Sequence, residues 1–301
     1  MFWINLNLPM VISQLLGGLG NQMFQYAAGR ALSLDLQCPL LLDLSGFKNY
    51  SLHNGFELER VTQAPIHIAT PGQLRKLLSW RSGNLVRKLL KRLPYRSARG
   101  RHLVVEPHFN YWSGFSKILD PSYLMGYWQS EKYFKDFELR IRSDFEFRKP
   151  LIGENLQTSF LMKDANSVSL HVRRGDYVTH AATAKILNPC SLDYYQRAVD
   201  CISKTVTSPH FFVFSDDPEW AQHNLKITFP TTYIDRNFGP QNYVDMQLMT
   251  HCNHNIIANS SFSWWGAWLN KNSDKLVIAP TNWFANGIDD RDLIPPEWIR
   301  L

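Results

Sequence analysis

A chain of 301 residues suits two domains of roughly 100–200 residues each, or one large domain. With 45% apolar and 19% charged residues it can bury a sizeable core, and it lacks the composition of a disordered chain. The net charge of +6 is local: ten of the 32 Lys and Arg (Arg75, Lys76, Arg81, Arg87, Lys88, Lys91, Arg92, Arg96, Arg99 and Arg101) lie in one acid-free run, and the other 22 face 26 Asp and Glu.

Residues 2–16 are apolar, but Asn5, Asn7, Pro9, Ser13 and Gln14 interrupt them. There is no basic leader and no cleavage-like site, so neither a signal peptide nor a membrane anchor is expected. Residues 10–16 read as a first strand. It runs into Gly17-Gly18-Leu19-Gly20-Asn21-Gln22, and a helix over 23–35 follows. Strand, glycine turn and helix open a doubly wound domain, and glycines there allow close backbone approach to a ligand. The spacing is not GxGxxG, so no dinucleotide site is read. A second strand is predicted over 39–44.

Residues 73–93 read as a basic amphipathic helix or helix pair. Leu74, Leu77, Leu78, Leu85, Val86, Leu89, Leu90 and Leu93 supply the apolar face. Such a face attaches to an anionic membrane surface or an acidic partner, or is the solvated side of a surface excursion. A nucleic-acid partner is not expected, because Trp80 and Tyr95 are the only interleaved aromatics and no reader motif is present. Residues 123–132 read as a short strand and loop. Residues 133–147 read as mixed and partly helical, and 150–163 as a helix. A domain boundary is placed at 160/161.

The second half alternates. Strands are predicted over 167–172, 210–214, 226–234, 254–258 and 276–279, with helices over 191–204, 218–223, 242–252 and 263–270 and a loop over 177–190. This pattern implies right-handed crossovers and a parallel sheet. In 167–172, Val168, Leu170 and Val172 alternate with Ser167, Ser169 and His171, the period of a half-buried strand. The strand ends in Arg173, Arg174, Gly175 and Asp176. Ligands collect at that edge of open α/β sheets, and Arg offers anions a planar fork of donors. An ordinary strand end with an Asp176–Arg ion pair is the plainer alternative.

Two further strand ends join this rim. One carries Ser215-Asp216-Asp217-Pro218. The other carries Asn259-Ser260-Ser261-Phe262 at a helix start, where free N–H groups and the helix dipole favour an anion. Plain N-capping by the serines is compatible with that role. Adjacent Asp216 and Asp217 point apart on an extended chain, and Asp217 before Pro218 also fits a helix cap. Asp290-Arg291-Asp292 is a weak Asp-x-Asp match. Asp245 is either solvated or a carboxylate able to accept from a base edge.

Cys38, Cys190, Cys201 and Cys252 form no CxxC pair, and His251 and His254 near Cys252 make no convincing metal cage. Free thiols among apolar neighbours suit a reducing cytosol, so a cytoplasmic location is expected, with peripheral membrane contact through 75–101 as an open alternative. The 10 Trp suit either a core or a sugar-handling surface.

His171-Val172-Arg173-Arg174-Gly175-Asp176 resembles the HxRRxD motif of the α-1,2- and α-1,6-fucosyltransferase superfamily. Residues 17–26, 126–130, 214–217 and 257–267 resemble blocks of the bacterial α-1,2-fucosyltransferases, glycosyltransferase family 11. The five blocks fall in order over about residues 11–280, while 73–101 has no counterpart and looks like a variable insertion.

The resemblance implies an α/β, GT-B-like fold of two Rossmann-like domains facing a central cleft. Residues 1–160 would form the acceptor side and 161–301 would bind GDP-β-L-fucose. It implies transfer of L-fucose with inversion to O2 of a galactose-terminated glycan, with no cofactor and no metal. Arg173 would meet the β-phosphate with Arg174 in support. His171 and Asp245 would lie near the guanosine, with Ser260, Ser261 and Phe262 on the phosphate- and base-side loop. Asn21 would lie near the reacting centre. Asp216, Asn259, Gly18, Gly20 and Gln22 complete the expected donor site. Residues 178–185 carry no carboxylate where the α-1,6 branch has a Glu. Asp176 and His180 are therefore the local candidates for a base, but Asp176 is read as an orienter of Arg174 or of the loop in preference to a base.

Overall fold

The computed structural model describes residues 9–48, 53–92 and 96–301. The readings that touch Phe2, Asn5, Asn7, Leu93 and Tyr95 lie outside the described residues. The chain divides into two units, 1–146 and 147–301. The division precedes the 160/161 boundary read from sequence, because the helix at 153–164 packs on the second sheet.

The first unit runs β1 (Val11–Gln14), α1 (Leu19–Asp35), β2 (Leu40–Asp43), α2 (Pro71–Leu78), α3 (Asn84–Arg92), α4 (Arg96–Arg99), β3 (Leu103–Val105), β4 (Ser122–Met125) and α5 (Glu138–Asp144). Its strands are parallel in the order β2-β1-β4-β3. The order reverses at β1, so the ends of β1 and β4 form a topological switch point, where such sheets bind ligands. The expected glycine turn is shorter than read. Gly17 takes a positive φ of 82° and Gly18 is the N-cap, so Gly20, Asn21 and Gln22 belong to the first turns of α1.

The excursion over 71–99 is fixed to the sheet. Arg87, fully buried, donates to Asp43 Oδ2 at 2.8 Å and to Ser45 Oγ at 2.8 Å, with its guanidinium 4.8 Å from the Tyr123 ring. Tyr123 donates its hydroxyl to the same Asp43 oxygen at 2.6 Å. Arg87 is therefore a core cation and leaves the surface patch to which its sequence context assigns it. Arg99 also turns inward, donating to the carbonyls of Leu90 and Lys91 at the end of α3.

The second unit runs α6 (Gly153–Asp164), β5 (Asn166–Val172), α7 (Gly175–Thr179), α8 (Ala181–Ala184), α9 (Leu192–Ser203), β6 (Pro209–Ser215), α10 (Pro218–Asn224), β7 (Thr231–Ile234), α11 (Tyr243–Met249), β8 (His254–Ile256), α12 (Ser261–Leu269), β9 (Val277–Ala279) and β10 (Ile299–Arg300). Its six parallel strands lie in the order β10-β9-β8-β5-β6-β7. α7 runs into the loop expected at 177–190, and α8 lies within it. The strand expected over 226–234 is confined to its last four residues.

β5 is buried on both faces rather than half-buried, as befits the centre of a covered parallel sheet. Val168, Leu170 and Val172 pack on Tyr194, Ala198 and Ile202 of α9. On the other face polar side chains are paired. Asn255 donates to Ser169 Oγ at 2.7 Å, and Ser167 donates to Asn253 Oδ1 at 2.9 Å. Ser167 and Ser169 are tolerated there because each has a partner. The Trp-rich α12 is core: Trp264, Trp265 and Trp268 are buried, and Trp264 Nε1 donates to Leu293 O at 2.9 Å. These rings fill volume and present no sugar-stacking face.

Candidate active site

β5 pairs with β6 on one side and β8 on the other, so the chain order reverses between β5 and β8. The residues after these strands share the rim where the sheet opens. Arg173 leaves β5 between two carboxylates. Its Nη2 meets Asp176 Oδ1 at 2.6 Å and its Nη1 meets Asp216 Oδ2 at 3.1 Å. Burial works against the Arg173 charge, but Asp216 and Asp176 overcome it and hold the pKa above its ordinary value. Arg173 keeps 24% of its side chain exposed, so a cation fixed in direction still meets solvent.

Asp216 does three things at once. Besides Arg173, its Oδ1 accepts the backbone N–H of Arg174 at 2.8 Å. Its Oδ2 also occupies the space beside Gly175, where an added Cβ would lie 2.6 Å away. A side chain at Gly175 would therefore press on the Asp216 carboxylate and shift the group that holds Arg173. The pair Asp216-Asp217 is no metal pair in this arrangement. Asp217 caps α10 by accepting from Trp220 N at 3.2 Å. Arg174 lies with its guanidinium 3.9 Å from the Trp220 ring and its Nε 3.6 Å from Asp217 Oδ2. Its buried Nε has no hydrogen-bond partner.

Asp176 therefore orients Arg173, where the sequence reading offers Arg174 or the loop. His180 caps α8, with its Nδ1 2.9 Å from Thr183 Oγ1. His171 is 5% exposed at the end of β5, its ring centroid 5.8 Å from that of Phe262. Burial, reinforced by the Arg173 charge and opposed by Asp216, pushes its pKa down to about 3, so it is a neutral imidazole near pH 7. Its buried Nδ1 has no hydrogen-bond partner.

Ser260 caps α12 by accepting from Phe262 N at 3.4 Å, and Ser261 is the first helical residue. Asn259 is framework: its Nδ2 donates to the carbonyls of Asn188 and Trp283, and its own carbonyl accepts from Tyr177 at 2.8 Å. Asp245 belongs to a separate polar network. It accepts from Asn237 at 2.7 Å, and Asn155 and Arg236 complete the cluster. Burial pushes its pKa up to about 7 against the pull of Asn237 and Arg236. Among the described residues no group of three His, Cys, Asp or Glu is arranged to hold a metal ion.

The first unit presents its own switch point. Gln129, just past β4, donates to Asn21 Oδ1 at 2.5 Å. Glu106, at the end of β3, carries no local sequence signal because its partners lie 21 and 22 residues away. Its two oxygens accept the backbone N–H groups of Tyr127 at 2.7 Å and Trp128 at 2.9 Å. A Cβ on Gly126 would lie 2.4 Å from Glu106 Cβ, which explains the glycine of that block. Gln22 is framework, bonding Gly17 O, Gly55 O and Glu57 N. Gly18 packs with His53 3.4 Å from where its Cβ would be.

Comparison with known proteins bears on this arrangement. Residues 109–301 match the family model described as glycosyl transferase family 11. An alpha-1,2-colitosyltransferase of Escherichia coli is 36% identical over 98% of this chain and 99% of its own length. Galactoside alpha-(1,2)-fucosyltransferase 2 of Rattus norvegicus is 25% identical over 95% of this chain and 75% of its own. The crystal structure of fucosyltransferase NodZ from Bradyrhizobium matches with a TM-score of 0.51 at 13% identity, covering 86% of this chain and 91% of that one. That likeness shows the fold, which is GT-B-like.

Proposed function

The chain belongs to glycosyl transferase family 11, and from that premise we propose that it moves L-fucose from GDP-β-L-fucose to O2 of a terminal β-galactoside, inverting the anomeric carbon. The observation that carries this reading is the Arg173 clamp at the β5–β8 switch point, a fixed and partly exposed cation on the rim from which α12 starts.

In such a transfer the bond from the anomeric carbon to a phosphate oxygen breaks, and negative charge develops on the departing GDP. Arg173, with Arg174 beside it and the α12 dipole at Ser261, stabilises that charge; removal of one such donor typically costs about 3–4 kcal/mol. The reading needs no metal for this step. The neutral His171, with Phe262, faces the nucleoside side, and Asp245 serves the base from its own network. Asn21 acts on the acceptor side, as the family resemblance implies. Asp176 is committed to Arg173, so the proton of the acceptor hydroxyl leaves to another group or late along a dissociative path.

A second reading is supported by the 36% identical relative: the sugar is colitose, which lacks the 3-hydroxyl of L-fucose, in the same α-1,2 linkage. Transfer is to be assayed with GDP-fucose and with GDP-colitose on β-galactosides, with and without chelator, followed by linkage analysis. A 2-linked fucosyl product insensitive to chelator supports the first reading. A colitosyl product alone supports the second. Binding of GDP-fucose without galactoside-dependent release of GDP would sink both in favour of a binding module.

A further inference from the structure

The outward face of α3 has a composition that solvation does not explain. The buried Arg87–Asp43 pair fixes the rotation of α3 about its axis, and Leu90, with Leu74 and Leu78 of α2, fills the core beneath it. On the opposite side, Leu85, Lys88, Leu89 and Arg92 stand at i, i+3, i+4 and i+7, so they form one stripe. All four are exposed, Leu85 at 79% and Leu89 at 61%, and Trp80 in the preceding turn is 60% exposed. Arg75 and Lys76 on α2 and Lys91 on α3 are exposed as well. No acid occurs in the whole stretch 75–101.

We propose that this Trp80–Leu85–Leu89 face docks peripherally on an anionic lipid surface. The core needs neither leucine, and each leaves a large side chain in water beside cations. At a lipid interface the same groups separate by depth: Leu and Trp reach the acyl boundary while Lys and Arg stay with the headgroups. Nucleic acid would use the charges but has no comparable use for two exposed aliphatic chains. Among the described residues no helix is long and apolar enough to cross a membrane, so the contact is reversible and weakened by salt.

The test is co-sedimentation of the whole protein with vesicles of phosphatidylcholine alone and of phosphatidylcholine mixed with phosphatidylglycerol. The protein is expected to sediment with the mixed vesicles only. A Leu85→Ser/Leu89→Ser pair and a Lys88→Glu/Arg92→Glu pair should each weaken that binding by roughly tenfold or more. Unchanged thermal unfolding in both pairs excludes loss of fold. Failure of the unaltered protein to sediment overturns the proposal. Binding retained in the leucine pair but lost in the charge pair also overturns it, in favour of a non-lipid polyanion. Binding retained in the charge pair overturns the anionic part. None of these outcomes depends on the sugar transferred.

Discussion

Gln129 donates its side-chain amide to Asn21 at 2.5 Å, joining the residue that follows β4 to the helix that follows β1. These two strands flank the switch point of the first sheet, so this contact fixes the Asn21 side chain at that point. The Gln129→Ala variant should fold normally and lower the turnover rate by about tenfold, because misplacing a positioned group costs rate more than stability. Steady-state kinetics would settle it. A change confined to the donor KM, with kcat intact, would show that the contact does not serve the reacting side.

Glu106 holds the same loop. Burial pushes its carboxyl from the usual 4.5 up to about 7, against the two backbone N–H groups and Lys91. A folded-state pKa above the unfolded one means that the native state binds the extra proton. The associated stability is present below about 4.5 and is lost as pH rises through about 7. Relative to Glu106→Gln, the unaltered protein should therefore lose up to about 3 kcal/mol of stability across that window. Asp245 has the same sign and His171 the opposite, but both cancel in the comparison. Urea unfolding at several pH values measures it, and parallel pH profiles would refute the assignment.

Gly175 and Asp216 form a coupled pair. A methyl at Gly175 collides with the Asp216 carboxylate, which also orients Arg173 and holds the Arg174 N–H. Gly175→Ala should weaken donor binding by about tenfold in the unaltered protein and have little further effect in an Asp216→Ala background. A double-mutant cycle on GDP affinity checks this. Equal losses in both backgrounds would mean that the glycine acts elsewhere.

Arg87 offers a stability contrast with its neighbour. Arg87→Ala leaves Asp43 buried with a lost cation and should cost about 3–5 kcal/mol, whereas Lys88→Ala on the exposed face should cost less than about 0.5 kcal/mol. Equal denaturation midpoints for the two variants would contradict the burial of Arg87.

Much of the second unit was legible in its chain because its strands are long or regularly punctuated. The alternation in 167–172 gave β5, Pro218 and Asp217 gave the start of α10, and the paired serines gave α12. Edge strands β3 and β10, three and two residues long, are too short to show a period.

The missed site features share one cause: their partners are distant in sequence. Arg87 sits in a basic run and reads as surface until its carboxylate, 44 residues away, is seen. Asn21 and Gln129 are 108 residues apart, and Arg174 meets Asp216 across 42. Local spacing predicts an Asp176–Arg pair but not which arginine it takes, because that depends on where β6 delivers Asp216.

The central claim is that the fixed Arg173 cation stabilises a departing nucleoside diphosphate. Its most direct measurement is GDP release from GDP-fucose, in the presence of a terminal β-galactoside, by the unaltered protein and by Arg173→Ala. The account predicts a loss of about 10²–10³-fold with an unchanged circular dichroism spectrum. A variant that keeps the unaltered rate contradicts it.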